Sequence, residues 1–144
     1  MGYQYNFEKL EVWNDARHFV KAVYNITSNF PDNEKFGLSS QIQRASVSVV
    51  SNIAEGVSRN SVKEQIRFVE IAYGSLKEVY CQLYIAVDLG YLITELFDTI
   101  KAEVDKIANK LNALNRSLLK RLNSSTIQQF NASTIQQICL KKKL

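Results

Sequence analysis

The chain has 144 residues, a formal net charge of +4 and 46% hydrophobic residues, values that suit one globular domain. Five glycines and a single proline are too few for a turn-rich β fold. No apolar run reaches the ~18 residues of a membrane span, and the first residues lack the pattern of a secretion signal. The composition therefore predicts a cytoplasmic, all-α protein that does not enter a membrane.

Two helical segments occupy the first part of the chain, each marked by apolar residues at spacings of three and four. The first covers residues 12–30 and ends before Pro31, because proline disfavours helical geometry in the residue that precedes it. The second begins near Leu38. We expect it to end at Gly56, since glycine adopts the left-handed geometry of a helix cap at low cost.

Two further helices follow. The third begins at the capping residue Ser61 and ends at Gly90. Gly74 in its interior costs about 1 kcal/mol relative to alanine, so we expect close packing to compensate there. The fourth opens near Thr94 and fades near Leu122, where its apolar stripe stops.

Short connections between these segments predict an antiparallel, up-and-down four-helix bundle over residues 1–122. Residues 123–144 differ in composition, because they repeat STIQQ at Ser125 and Ser133 and are rich in Ser, Thr, Asn and Gln. They are predicted to form a low-complexity basic tail that is flexible or partly helical.

A second apolar stripe marks the third helix. Ile71, Ile85 and Leu89 lie opposite the core position Leu76, and a helix that is apolar on two sides usually contacts two partners. The additional partner is most simply another copy of the chain, so we expect a homo-oligomer. The alternative is that these are scattered surface residues, which are common in monomers.

Residues typical of enzymes and metal sites are scarce. His18 is the one histidine, which excludes the paired Glu-x-x-His motifs of di-iron bundles and the spacing of zinc hydrolases. Cys81 and Cys139 form no CxxC motif, and no glycine-rich phosphate-binding loop is present. The sequence predicts a protein that is not an enzyme and has no cofactor and no metal.

Charge is distributed unevenly along the chain. Residues 1–105 carry 10 basic and 14 acidic side chains, whereas residues 106–144 carry 8 basic and no acidic ones. Such asymmetry is typical of proteins with an anionic partner, although a solvated helix face with a basic tail would give the same pattern. The candidate nucleic-acid-binding residues are Arg44, Arg59, Lys63, Arg67, Lys106, Lys110, Arg116, Lys120 and Arg121.

An acidic residue near the end of the second helix requires a partner, because the helix dipole disfavours it there by about 0.3–1 kcal/mol. Asn52 and Glu55 share a helix face, and Arg59 follows Glu55 by four residues. We expect Asn52, Glu55 and Arg59 to form a polar clamp that fixes a helix end or a subunit register. Arg44 of another copy is a second candidate partner, and a binding surface is the alternative.

Several motifs in order resemble a known family. They are FEKLEVW at residues 7–13, FPDNEKFGL at 30–38, NIAEG at 52–56, GSL at 74–76 and LGYL at 89–92. Over residues 5–122 the chain resembles the four-helix-bundle proteins encoded by intervening sequences of bacterial 23S rRNA genes. That family is similar to the accessory variability protein of diversity-generating retroelements.

The resemblance implies a ring-like homopentamer with basic surface that binds nucleic acid, RNA or DNA. Members commonly carry two consecutive arginines early in the second helix, where this chain has Gln43 and Arg44, so only Arg44 carries over. The retroelement relative also binds its reverse transcriptase. A protein-interaction adapter, for example an accessory partner of a reverse transcriptase, is therefore the alternative function.

Overall fold

The structure is a computed structural model that describes residues 2–141, and within that range it contains helices and no strand. The predicted all-α class and the four helices are confirmed. Lys142 and Lys143, which belong to the predicted basic tail, lie outside the described residues. The helices are α1, α2, α3 and α4 at Glu11–Thr27, Leu38–Val57, Val62–Asp88 and Thr94–Lys141, with short 3-10 turns at Asn6–Lys9 and Asp32–Glu34.

The four helices pack as a bundle around one hydrophobic core. Each helix contacts the next one along the chain, and α1 also contacts α4. The apolar stripes that define the helices in the sequence supply the core, because a stripe at 3.6-residue spacing leaves one helix face to be buried. The largest fully buried side chains include Phe19, Ile42, Ile53, Leu76, Leu83, Ile107 and Leu111.

Two glycines differ in their roles. Gly56 is not the predicted left-handed cap, because α2 continues through it to Val57. A Cβ atom at Gly56 would lie 3.0 Å from the Cβ of Phe68, so this glycine permits the close approach of α2 and α3. Gly90 is a cap as predicted: its φ is +75°, and the following N–H of Tyr91 donates to the carbonyl of Ala86 over 2.8 Å.

Gly74 has no close neighbour. The sequence predicted close packing there, but a Cβ atom at Gly74 would meet no atom within 4 Å. The residue is exposed on α3. Within the described chain, therefore, no packing contact of a side chain at this position offsets the cost of a glycine in a helix interior.

The fourth helix is longer than predicted. The expectation that it fades near Leu122 is wrong, because α4 continues to Lys141. Leu118 and Leu122 are the last side chains that contact the core, and residues 123–140 are all exposed. Adding a residue to an existing helix requires no new nucleation, so the helix extends past its packed part. Within residues 2–141 no helix is both long and apolar enough to cross a membrane.

Candidate nucleic-acid interface

Arg59 is held in the α2–α3 turn by three contacts. Its guanidinium pairs with the carboxylate of Glu55, as the sequence predicted for these two residues. Its Cζ lies 4.8 Å from the centroid of the Phe68 ring, and Gln65 Nε2 donates to its carbonyl oxygen over 2.7 Å. Arg59 therefore fixes the conformation of the turn, and its charge is shared with an acidic neighbour.

Asn52 does not join this pair. Its Nδ2 donates to the carbonyl of Ser48 over 2.8 Å and to the Ser48 hydroxyl over 3.0 Å. The Ser48 hydroxyl in turn lies 2.9 Å from that of Ser75 on α3. The structure thus removes Asn52 from the predicted clamp, because a short amide side chain reaches back one helical turn more readily than forward to Glu55.

Two of the candidate lysines are neutralised at the contact between α1 and α4. Lys110 Nζ lies 2.5 Å from both Glu11 Oε1 and Asp15 Oδ2. Lys106 Nζ lies 2.8 Å from Glu103 Oε2 and 3.4 Å from Asp15 Oδ1. These lysines join two helices, so the structure does not leave them free for a phosphate.

The pKa values of these groups reflect the network. Partial burial would raise the pKa of Asp15, but the hydrogen bond and the positive charge of Lys110, together with Lys106, outweigh it and hold that pKa below its ordinary value. Hydrogen bonds to Asp15 and Glu11 raise the pKa of Lys110. The hydrogen bond to Glu103 raises the pKa of Lys106. All these charges are therefore retained at neutral pH.

A second group of candidates is unpaired. Arg116, Lys120 and Arg121 are exposed, and among residues 2–141 no carboxylate lies within 4.0 Å of their side-chain nitrogens. Arg116 and Lys120 are four residues apart and share one face of α4. No acidic residue follows Asp105 in the sequence, so this part of α4 keeps its full positive charge.

Arg121 connects this group to the α2–α3 turn. It lines a cavity of about 190 Å³ together with Gly56, Val57 and Gln65. The first turns of α3 add Lys63 and Arg67, which are both exposed. The structure thus brings basic residues from α3 and α4 to the same region of the bundle.

Two other candidates contribute less to this surface. Arg67 Nη1 lies 3.8 Å from Glu64 Oε2, a weak contact of a side chain that is 67% exposed. Arg44 lies 13 residues before Val57 on α2, which is about 20 Å along the helix axis. It lines a different cavity, of about 450 Å³, with Gln41, Ser48 and Glu78.

A family comparison identifies the chain. The family described as 23S rRNA-intervening sequence protein matches residues 8–113. The chain belongs to this family. The resemblance seen in the sequence is thereby confirmed at the level of the family, and α4 beyond residue 113 extends past the matched part of this 23S rRNA-intervening sequence protein.

One solved structure resembles this chain over most of its bundle. It is a protein with unknown function from the S23 ribosomal protein family of Bacteroides thetaiotaomicron, and the TM-score is 0.65 at 22% identity. The similarity covers 72% of this chain and 97% of that one. At this identity the likeness concerns the fold alone. No curated protein matches the chain significantly.

Sequence reasoning missed the acidic partners in this member of the family. Glu11 and Asp15 are four residues apart on α1, and Lys106 and Lys110 have the same spacing on α4. The available signal was that two acidic residues on one helix and two lysines on another have the same spacing of four residues. They identify a contact between helices only when the two helices are known to be neighbours.

Residues suited to metal binding or catalysis are dispersed in this 23S rRNA-intervening sequence protein. Among residues 2–141, no group of three or more His, Cys, Asp or Glu side chains could hold a metal ion. Cys81 and Cys139 are exposed free thiols, and His18 is exposed on α1.

Proposed function

We propose that this chain is a nonenzymatic, cytoplasmic, homo-oligomeric helical bundle that binds nucleic acid through α4 and the α2–α3 turn. One observation supports the site above all others. Arg116, Lys120 and Arg121 are exposed with no carboxylate nearby among the described residues, whereas Lys106 and Lys110 are engaged by acids of α1 and α4.

An antiparallel, up-and-down arrangement of the helices is part of this proposal. Lys106 contacts Asp15, whereas Lys110, further along α4, also contacts the earlier residue Glu11. Likewise Ser48 contacts Ser75, while a Cβ at Gly56 would approach Phe68. In each pair of helices, later residues of one contact earlier residues of the other, as antiparallel neighbours do.

In this arrangement the two ends of the bundle differ in charge. The end with the α1–α2 and α3–α4 connections carries mostly acidic residues, while the opposite end carries more basic than acidic residues. Its acids include Glu55 and Glu64, and its basic residues include Lys63, Arg67, Arg116, Lys120 and Arg121. A nucleic acid would be drawn to the basic end and repelled from the other. The acidic residues are Asp32, Glu34, Asp88, Glu95 and Asp98.

Assembly into a ring-like homo-oligomer would repeat this basic surface. Ile71 and Ile85 are 39% and 43% exposed on the outer side of α3, where Gly74 leaves open space for a neighbour. Another copy packed there would bury these side chains and compensate for the glycine. The family resemblance implies five copies, and repetition of a modest binding surface raises overall affinity.

The assembly has its own test. Gly74→Leu fills the open space, so light scattering should give a lower mass while circular dichroism shows unchanged helix content. Asp98→Leu, on the exposed surface of α4, is the control and should leave the mass unchanged. A wild-type protein that remains monomeric at every concentration would contradict the ring.

Nucleic-acid binding is tested by fluorescence anisotropy with a structured RNA and a DNA duplex over a range of salt. Lys and Arg contacts to phosphates release counterions, so the logarithm of the affinity should fall linearly with the logarithm of salt. Arg116→Gln with Lys120→Gln should weaken binding and make that slope shallower by about 1.8 on the DNA duplex. Lys21→Gln with Lys35→Gln changes the charge equally and should have little effect. An affinity that does not change with the salt concentration would exclude the proposal.

A second candidate function, a protein-interaction adapter, is favoured by an apolar surface elsewhere. A cavity of about 350 Å³ is lined by Ile26, Leu92, Ile93 and Leu96, and Ile93 is 61% exposed. The partner would be a reverse transcriptase, as the resemblance to the retroelement accessory protein suggests. Ile93→Gln should then abolish capture of that enzyme without changing nucleic-acid affinity, and the Arg116→Gln, Lys120→Gln variant should do the reverse.

A further inference from the structure

The extension of α4 carries an apolar stripe of its own. Ile127, Phe130 and Ile138 are 60%, 72% and 51% exposed, and Leu119 begins the same stripe at 40%. These four residues are called the tail seam. At 100° per residue they lie within an arc of about 100° around the helix. They are spaced eight, three and eight residues apart. Asn123 and Thr134 lie on the same arc and divide each spacing of eight into two steps of four residues.

The tail seam faces away from the bundle core. Seven side chains of α4 are buried, among them Ile107, Leu111 and Leu118, and the mean direction of the seven differs from that of the tail seam by about 125° around the helix. The helix therefore cannot bury both sets of residues against the same bundle. Residues 123–140 are exposed throughout, so nothing in the described chain covers Ile127, Phe130 and Ile138 of the tail seam.

An uncovered helix of this composition would gain stability from a partner. Ser, Thr, Asn and isoleucine are mediocre helix formers, and most helical stability in proteins comes from packing of an apolar face. The steps of three, four and four residues from Ile127 to Ile138 add up to 11 residues. A repeat of 11 residues keeps an apolar stripe on one face of a nearly straight helix, as in multi-helix assemblies. Polar Asn123 lies on the stripe, where one such residue commonly specifies the register of paired helices.

The absence of charge indicates which partner fits. No charged residue lies between Arg121 and Lys141, so this segment offers a nucleic acid no positive charge and a charged protein no ion pair. A second copy of the same helix presents an identical apolar stripe and brings no like charges together. Its Asn and Gln side chains can form hydrogen bonds with those of the first copy. We propose that the tail seam is a self-association surface, through which α4 extensions of separate copies pack together.

Disulfide cross-linking tests this proposal on the full chain without nucleic acid, so its result does not depend on the proposed function. In a chain with Cys81→Ser and Cys139→Ser, Phe130→Cys should form a disulfide between copies under mild oxidation at least about tenfold faster than Gln129→Cys, which lies about 130° around the helix from the middle of the tail seam. Adding Ile127→Gln and Ile138→Gln should slow the reaction to the rate of Gln129→Cys. Glutamine is the better helix former, so the loss would not reflect an unfolded tail.

The matched control is Ile135→Gln with Leu140→Gln, which removes two exposed apolar side chains outside the tail seam. It should leave the cross-linking rate of Phe130→Cys unchanged. Equal rates for Phe130→Cys and Gln129→Cys would overturn the proposal. Pelleting of the protein with anionic phospholipid vesicles, lost in the Ile127→Gln, Ile138→Gln variant, would also overturn it, since a membrane surface would then cover the tail seam.

Discussion

The carboxylate of Asp15 on α1 lies 2.5 Å from the ammonium of Lys110 on α4, and this pair joins the first and last helices of the bundle. Lys106 lies 3.4 Å from the same carboxylate on its other oxygen. Two of the nine basic residues that sequence reasoning assigned to nucleic-acid binding therefore serve a contact between helices. The carboxylates beside these lysines largely neutralise their positive charge in the absence of a ligand.

Asp15 should make stability depend on pH in the acid range. Its pKa is lower in the folded protein than in the unfolded chain, so its stabilising contribution is complete above the ordinary aspartate pKa of about 3.9 and is lost as the pH falls through the lower folded-state value. We expect Asp15→Asn to lower the free energy of unfolding by about 1 kcal/mol at pH 7. Urea unfolding at several pH values should show the difference shrinking below pH ~3.9. Asp98→Asn, an exposed acid in no ion pair among residues 2–141, should leave the free energy of unfolding at pH 7 within about 0.5 kcal/mol of the wild type.

Substitutions at Lys110 and Lys120 should affect different properties, the stability of the fold for Lys110 and the affinity for RNA for Lys120. Lys110→Gln breaks two ion pairs and should lower the free energy of unfolding by up to about 1 kcal/mol, with unchanged affinity for RNA. Lys120→Gln should leave stability within about 0.5 kcal/mol of the wild type and weaken RNA binding. Denaturant unfolding and anisotropy titration on the same preparations measure both effects. Equal losses of affinity in the two variants would show that Lys110 is also available to phosphates.

The α2–α3 turn should depend on Arg59 more than on Glu55. Arg59→Ala removes the ion pair and the contact with the Phe68 ring, so we expect a loss of about 1 kcal/mol in the free energy of unfolding. Glu55→Gln removes only an exposed ion pair and should cost less than about 0.5 kcal/mol. Thermal melts of both variants in low and high salt measure this. If Glu55→Gln costs as much as Arg59→Ala, the ion pair rather than the ring contact holds the turn.

Gly90 should tolerate asparagine better than alanine. Its φ of +75° places it in the left-handed region, which costs a residue with a Cβ atom about 1–2 kcal/mol. Gly90→Ala should therefore destabilise the protein by about 1 kcal/mol, and Gly90→Asn by less, since asparagine adopts this geometry more readily. Differential scanning calorimetry compares the two. Equal melting temperatures for the wild type and Gly90→Ala would mean that the turn relaxes to another conformation.

The sequence alone determined the helices and their buried faces. Apolar residues spaced three and four apart are a local signal, and they placed α1 to α4 and the cap at Gly90 without knowledge of the fold. The same local rules failed at two places. α2 continues through Gly56, which lets Phe68 of α3 approach closely, and α4 continues beyond Leu122, where its packing against the bundle stops.

Only the tertiary structure decided which charges are available. Whether a lysine is free depends on the acid that the neighbouring helix places opposite it, and Asp15 lies 95 residues from Lys110 in the chain. Ion pairing falls steeply with distance, so this information exists only after the helices are packed. The sequence thus determined nine basic candidates, and the fold distinguished Arg116, Lys120 and Arg121 from the two lysines that hold α1 against α4.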